Sequence, residues 1–271
     1  MSPVFEIIPE AIFFQQTNLI CEISCSSFSY FFENEIEKKI YGLYVFHFDE
    51  NEDIPGQLKE IFQQQPLLGK NFKKIFISFS HPESVLLPEE LYAYGDNEVL
   101  LDNLFGDLNE SIVLTDLVAN KKIYNFYRLP KAVHKILIGQ FPLATINHQY
   151  SLLIKKEFHS ADLIKIIFYE NTFVTTVIKA GELQIIQTYF YQSAADVVYH
   201  LKNICTQFSL QNVALHISGI IELNADLNKE IRHYFKNIQY DQLPEAYEFS
   251  ASLKEIPAHY FSHLFSLALC V

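Results

Sequence analysis

The predicted order of strands and helices occurs twice along the 271-residue chain. Three strand-like runs in residues 19–48 precede a helix at about 57–66 and a further strand. In the third run, 38–48, both side-chain faces are apolar, as in a strand that is covered on both sides. From Asp162 the βββαβ order begins again. A chain with two similar halves predicts an α/β fold of two lobes with a cleft between them.

The second half carries a clear helix start. Ser193 is followed three residues later by Asp196, which is the spacing of a capping box that satisfies the first free N–H groups of a helix. The apolar residues that follow recur at helical spacing and predict one buried face. The helix lies between the third and fourth strands of this half, as the first helix does in its own half.

The domain boundaries follow from this repeat. We expect lobe 1 at 1–156, with a small α+β insertion at about 97–150, and lobe 2 at 157–271. The junction is predicted near 156–162, where "KEFHSAD" interrupts the hydrophobic pattern. A closing helix is expected at 257–271 and, since about 14 residues reach only ~21 Å, we expect it to be buried against lobe 1 rather than inserted in a membrane.

Composition restricts the partners and the compartment. The net charge is −12, and among 20 basic residues only Arg128 and Arg232 are arginines, so no nucleic-acid partner is expected. The N-terminus lacks the basic region of a secretory signal, and no apolar stretch is long enough for a membrane span. The four cysteines form no recognisable disulfide framework, which favours a reducing, cytoplasmic setting.

The order of elements resembles the actin-like ATPase superfamily, whose two lobes share a ribonuclease-H-like βββαβα core. Within it, the segments "FKKIFISFSHPESVLLPEELY", "YRLPKAVHKILIGQFPLATINHQYSLLI" and "HYFSHLFSLALCV" resemble pilus and secretion platform proteins of the PilM and GspL kind. The segment "QTYFYQSAADVVYHL" resembles an uncharacterised bacterial family, domain-of-unknown-function family 3822. The resemblance covers nearly the whole chain and implies two actin-like lobes with a helix that packs back.

The resemblance also indicates where a nucleotide would bind. Actin-like ATPases need a glycine in the turn between the first two strands of each lobe, so that backbone N–H groups reach phosphate, and a carboxylate there for Mg²⁺. The lobe 1 turn, 24–27, has neither, and the lobe 2 turn, 170–172, has an acid but no glycine. The candidate cleft residues are Ser24, Ser26, Ser27, Glu170, Asn171, Thr172, Ser218 and Gly219.

These incomplete turns predict a pseudo-ATPase, without catalytic residues, metal or cofactor, that acts as an adaptor by binding a protein partner or by self-association. The alternative is an ATP-binding protein or weak ATPase that uses ATP and Mg²⁺ in the inter-lobe cleft. A zinc site is not predicted, because His259 and His263 have the spacing of two ligands but lack the adjacent glutamate and a third ligand. Cys21 and Cys25 are interpreted as buried thiols.

Overall fold

The computed structural model describes residues 1–9, 11–92, 97–107, 110–155 and 162–270. Its contacts divide the chain into two compact units. Unit 1 consists of Met1–Lys155, Ala246–Leu253 and Cys270–Val271, and unit 2 of Lys156–Glu245 and Lys254–Leu269. Apart from Asp162, the predicted junction at 156–162 lies outside the described residues.

Unit 1 is built on a large mixed sheet and a small antiparallel sheet. The strands are β1 (Phe5–Ile7), β2 (Thr17–Ser24), β3 (Ser27–Asn34), β4 (Lys39–His47), β5 (Lys74–Ser80), β6 (Ser84–Pro88), β7 (Ser111–Val118), β8 (Ile123–Pro130), β9 (Thr145–His148) and, after the strands of unit 2, β15 (Glu248–Phe249). The α-helices are α1 (Ile54–Gln64), α2 (Asn97–Phe105), α3 (Lys131–Gln140), α4 (Gln149–Lys155) and α7 (Ala251–Lys254). Short 3₁₀ turns occupy Phe14–Gln16, Pro66–Gly69, Glu89–Leu91 and Ala119–Lys121.

The large sheet has the order β1-β4-β3-β2-β5-β9, and β15 also pairs with β4. β2, β3 and β4 are antiparallel, whereas β5 is parallel to β2 and β9 is parallel to β5. Alternate residues of β3, among them Phe28 and Tyr30, project into a core that is covered by α1 and α3. The ring of Tyr30 stacks on that of Tyr44 at 4.6 Å between centroids, so the aromatic content of the chain is used in this core.

The first helix begins earlier than the sequence indicated. The sequence predicts this helix at about 57–66, but α1 starts at Ile54. Asp53 is the N-cap and accepts a hydrogen bond from Gly56 N at 2.7 Å, and Pro55 occupies the first turn, where its missing N–H costs nothing.

The small sheet has the order β6-β8-β7. It starts at Ser84, before the insertion expected at about 97–150, and β9 within that range belongs to the large sheet. Arg128 of β8, which is 1% exposed, forms ion pairs with Glu83 at 2.9 Å and with Asp102 of α2 at 2.7 Å. This buried guanidinium attaches α2 to the sheet.

Unit 2 contains one sheet of the order β12-β11-β10-β13-β14. Its strands are β10 (Leu163–Phe168), β11 (Thr172–Lys179), β12 (Glu182–Phe190), β13 (Ala214–Gly219) and β14 (Ile238–Tyr240). Its α-helices are α5 (Ala194–Gln207), α6 (Asp226–Tyr234) and α8 (Ser262–Phe265), with 3₁₀ turns at Ala258–Tyr260 and Ser266–Leu269. The capping box at the start of α5 is confirmed, because Ser193 and Asp196 exchange side-chain and backbone hydrogen bonds.

The two large sheets share one topology. In each, an antiparallel three-stranded meander is followed by a helix and then by a strand that pairs in parallel with the first strand. A later strand pairs in parallel with that one. The order is β2-β3-β4-α1-β5-β9 in unit 1 and β10-β11-β12-α5-β13-β14 in unit 2. The predicted α/β fold of two ribonuclease-H-like lobes is confirmed. In the described ranges, no helix is both long and apolar enough to span a membrane.

The prediction of one continuous helix over 257–271 is wrong. Residues 258–269 form three short helical turns, and Phe261 between the first two leaves the helical region at φ −126° and ψ 12°. This segment belongs to unit 2 and contacts β13. The imidazole Nε2 of His259 lies 3.0 Å from the carbonyl oxygen of Ile221, which fixes the segment to the loop after β13.

We expect Phe265→Ala to lower the melting temperature markedly. The Phe265 side chain is 1% exposed, and truncation of a buried phenylalanine costs about 3–5 kcal/mol. Differential scanning calorimetry of the purified protein measures the change. Leu269→Ala, in the same segment at a half-exposed position, is the control and should change the melting temperature little. Equal effects of the two substitutions would show that the segment is not packed as described.

Candidate functional site

The carboxyl ends of the parallel strands form one candidate edge in each unit. In unit 1, β2 ends at Ser24, directly opposite Ser80 at the end of β5. The turn from Ser24 to Ser27 then leads into β3. The Ser24 hydroxyl oxygen accepts the backbone N–H groups of Ser26 at 3.2 Å and of Ser27 at 3.0 Å. It also lies 2.8 Å from the hydroxyl of Ser27. The two turn N–H groups that would reach toward a phosphate are therefore already bonded within the turn.

A buried polar chain lies beside this turn. The Ser80 hydroxyl donates to Gln149 Oε1 at 2.8 Å, and Gln149 Nε2 donates to Glu22 Oε2 at 3.3 Å. Glu22 is only 4% exposed. The carboxylate of this edge is thus held by an amide within the protein. No local sequence pattern could indicate this role of Gln149, because it is 127 residues from Glu22.

A second buried cluster surrounds the end of β9. Asp116 accepts hydrogen bonds from His148 N at 2.7 Å and from Asn147 Nδ2 at 3.2 Å. Burial raises the pKa of Asp116, and these hydrogen bonds oppose the rise. The sequence offered no signal for this cluster, because Asp116 comes from the small sheet.

His148 is a neutral imidazole with a fixed tautomer. Its Nδ1 accepts the N–H of Tyr150 at 3.1 Å, so the ring proton is on Nε2, which donates to the carbonyl of His81 at 2.9 Å. Burial lowers the pKa of His148 to about 3. A ring with both nitrogens bonded inside the protein is a structural element and not a proton carrier.

In unit 2 the structure brings five of the candidate residues to one edge. β10 and β13 are parallel and pair Phe168 with Gly219, so the turn that follows β10 lies at the same edge as the end of β13. The N–H of Tyr169 donates to the carbonyl of Thr172 at 2.9 Å and closes the turn. Its exposed carboxylate belongs to Glu170. The residues at this edge are Glu170, Asn171, Thr172, Ser218 and Gly219.

Gly219 is required by the strand pairing itself. Its φ is +97°, and a Cβ at this position would lie 2.0 Å from the carbonyl oxygen of Phe168. Ser218 is buried, and its hydroxyl donates to the carbonyl of Ile166 at 3.4 Å. Gly219, one of the candidate cleft residues, therefore has a reason in the fold that does not involve a nucleotide.

The histidine and cysteine pairs lie within the two units. The imidazole of His263 packs edge-on against Tyr169 at 5.6 Å between ring centroids, and burial lowers the pKa of His263 to about 3. Cys21 is fully buried, which raises the pKa of its thiol, and burial raises the pKa of Cys25 to about 11. In the part of the chain that the structure describes, no three His, Cys, Asp or Glu side chains are grouped as metal ligands.

The repeated topology and the two edge turns define a protein with the actin-like ATPase fold. Solved structures with this architecture resemble it over most of the chain. One is a Bacteroides thetaiotaomicron VPI-5482 protein described as having an actin-like ATPase fold and unknown function, with a TM-score of 0.80 and 18% identity over 96% of this chain and 100% of that one. The chain itself belongs to the family described as "Protein of unknown function (DUF3822)", whose model matches residues 11–238.

Two further structures share the fold. The type IV pilus biogenesis complex of PilM and PilN contains a chain with a TM-score of 0.67 and 11% identity, over 93% of this chain and 97% of that one. The cytoplasmic domain of EpsL, an inner membrane component of the Vibrio cholerae type II secretion system, has a TM-score of 0.51 and 9% identity, over 94% and 96%. No curated protein is significantly similar in sequence.

We expect Ser24→Ala to destabilise unit 1 by about 1–3 kcal/mol. The substitution removes the acceptor of two N–H groups in a largely buried turn, and unsatisfied buried donors carry this cost. Chemical denaturation followed by circular dichroism measures the loss. Ser26→Ala removes a neighbouring hydroxyl that accepts neither N–H group and should be close to neutral. If both variants unfold like the wild type, the Ser24 hydroxyl does not hold the turn.

We expect His148 to make the protein less stable in mild acid. The folded ring stays neutral down to pH about 3, whereas an unfolded histidine binds a proton below about 6.5. The unfolded state therefore binds more protons in that window, and stability falls as the pH falls through it. Between pH of about 7 and about 5 the loss from one such ring is about 2 kcal/mol.

His148→Asn tests this prediction, because its side-chain oxygen keeps an acceptor for the N–H of Tyr150 while the titrating ring is removed. Urea unfolding at a series of pH values should give a shallower pH dependence for the variant than for the wild type. The histidines and carboxyls common to both proteins cancel in the difference. Parallel curves would contradict a buried neutral His148.

Proposed function

We propose that this protein is a non-catalytic member of the actin-like fold, a pseudo-ATPase that works as an adaptor by binding another protein or a second copy of itself. The observation that carries the proposal is the closed turn of unit 1. There the Ser24 hydroxyl bonds the N–H groups of Ser26 and Ser27 at 3.2 and 3.0 Å. A phosphate would have to break these bonds to use the same donors.

The distribution of carboxylates supports the same proposal. A Mg²⁺ ion that binds together with phosphate needs carboxylate oxygens that are accessible to it and its water ligands. Glu22 is buried and accepts from Gln149, and the exposed Glu170 stands in a turn without glycine. Phosphoryl transfer depends on a flexible turn that binds phosphate together with an accessible acid. Neither edge offers this combination.

The structural relatives support the adaptor role. PilM is seen in a complex with PilN in type IV pilus biogenesis, and EpsL is a component of a secretion system. We extend to this chain only the general idea of a protein partner. The setting we propose is cytoplasmic, which is supported by Cys21, Cys25, Cys205 and Cys270, since none of them forms a disulfide among the described residues.

We expect no ATP hydrolysis above background and no thermal shift with ATP, ADP and Mg²⁺. Phosphate release and differential scanning fluorimetry on the purified chain measure both. Glu170→Gln is the matched control, because it removes the one exposed acid of the two turns without changing its size. Hydrolysis that Glu170→Gln abolishes would contradict the proposal and support the alternative of a nucleotide-binding protein. A thermal shift without hydrolysis would support a nucleotide-binding adaptor.

A further inference from the structure

A cavity of about 490 Å³ opens at the amino ends of β5 and β9, at the other end of the unit 1 sheet from the serine turn. It is bounded by the 3₁₀ turn Pro66–Gly69, by the start of β5 and by the turn that joins α3 to β9. Its volume lies in the range of ligand-binding pockets. It lies apart from the candidate residues of both edge turns.

The lining of this cavity has the opposite charge to the protein as a whole. The chain has 32 acidic and 20 basic residues. Among the described residues that line the cavity none is acidic, and three are lysines, namely Lys70, Lys73 and Lys74. The carboxylate next to them is that of Glu35, which lies 2.9 Å from the Lys73 ammonium and 3.9 Å from that of Lys74. Glu35 thus pairs with two of the three lysines.

Lys70 is available to a ligand. It is exposed, and its ammonium makes no ion pair or hydrogen bond to any residue that the structure describes. Lys73 and Lys74 share the single carboxylate of Glu35, so the group of three retains a net positive charge. An acidic ligand would complete the pairing of these ammonium groups.

An exposed leucine stands at the same cavity. Leu143 is 93% exposed. It lies in a turn that is closed by the hydrogen bond from Ala144 N to Phe141 O at 3.1 Å. Phe141 beneath it is buried and anchors the turn. Leu143, Pro142 and Phe72 give the cavity an apolar wall next to the lysines. A single exposed leucine is ordinary on a protein surface, but here it adjoins a positively charged concavity.

The corresponding place in unit 2 shows what sets this cavity apart. A cavity of about 350 Å³ lies at the amino end of β13, again without an acidic residue among the described residues that line it. Its two lysines, however, are used within the fold. The Lys202 ammonium lies 4.2 Å from the centre of the Tyr234 ring, and Lys236 donates to the carbonyls of Arg232 and His233 at the end of α6. In unit 1, Lys73 and Lys74 share the carboxylate of Glu35, and Lys74 also lies 6.0 Å from the centre of the Phe76 ring, but no described residue pairs with the Lys70 ammonium.

We propose that the unit 1 cavity is the docking site for an acidic peptide segment of a partner protein, with carboxylates on Lys70, Lys73 and Lys74 and an apolar side chain against Leu143. This inference rests on the proposed function and names the surface and the chemistry of the partner. A peptide is favoured over a nucleic acid because the cations among the described lining residues are lysines, without the arginines that bind one phosphate through two N–H groups at once.

The test is a selection of random peptides displayed on phage against the immobilised full chain, followed by fluorescence anisotropy with the recovered peptides labelled with fluorescein. The site variant is Lys70→Glu with Leu143→Ser, both at exposed positions where folding is retained. The matched control is Lys131→Glu with Ile138→Ser on α3, which makes the same change of charge and of apolar surface away from the cavity lining.

We expect the recovered peptides to be rich in Asp and Glu with an apolar residue, and to bind the site variant at least about tenfold more weakly than the wild type and the control. Their affinity should also fall with added salt. Peptides without acidic enrichment, or equal binding to both variants, would overturn the docking site. Peptide binding at another surface would contradict the docking site but not the adaptor function. ATP hydrolysis would contradict the adaptor function but not the docking site.

A fluorescein-labelled oligothymidylate is the remaining arm. If it binds the wild type and loses affinity with the site variant while the acidic peptides do not bind, the cavity takes nucleic acid and the proposal is wrong. No binding of the oligothymidylate, together with variant-sensitive binding of the peptides, supports it.

Discussion

The geometry of both candidate edges depends on the parallel pairing of each unit's central strand with the strand that returns after its helix. β2 pairs with β5 and β10 with β13, so the carboxyl ends of strands far apart in sequence meet at one edge. In unit 2 this pairing is so close that only glycine fits at position 219, because a Cβ would lie 2.0 Å from the carbonyl oxygen of Phe168. Gly219, which was a candidate for nucleotide binding, is thus explained by backbone packing alone.

The corresponding turn of unit 1 has no glycine, and a side-chain hydroxyl bonds its N–H groups. A glycine-bearing turn leaves its N–H groups open to an anion. In the turn after β2, the Ser24 hydroxyl takes two of these N–H groups itself. Next to it, Glu22 is held in the interior by Gln149, which in turn accepts from Ser80. An edge whose donors and acceptors bond to one another is stable without a ligand, and this physical property links the fold to the non-catalytic role that we propose.

The sequence was informative where the signals are local. The capping box of Ser193 and Asp196 predicted the start of α5, and the strand-like runs of each half predicted the strands of both meanders. The start of α1 was missed because the acidic run around Asp53 contains both turn residues and an N-cap. The apolar character of 258–269 predicted burial, but composition does not reveal the break at Phe261 or the partner strand β13.

Long-range polar contacts could not be predicted in the same way. Asp116 lies in the small sheet, and its partners Asn147 and His148 lie in β9, so only the folded arrangement brings them together. The placement of the candidate turns at sheet edges could be predicted from the sequence, because it follows from strand order. The hydrogen bonds that close the Ser24 turn could not be predicted, because a serine hydroxyl in a turn can either donate to a ligand or accept from its own backbone.

The lysines show how one fold position can acquire different uses in two copies. At the amino end of the unit 2 sheet, Lys202 lies over an aromatic ring and Lys236 bonds the last carbonyls of a helix, so both charges stabilise the unit. At the equivalent place in unit 1, Lys73 and Lys74 share the carboxylate of Glu35, the Lys70 ammonium has no partner among the described residues, and an exposed leucine lies beside them. Like charges in proximity cost free energy unless an anion joins them. A binding role follows most directly from the copy whose charges are not balanced within the fold.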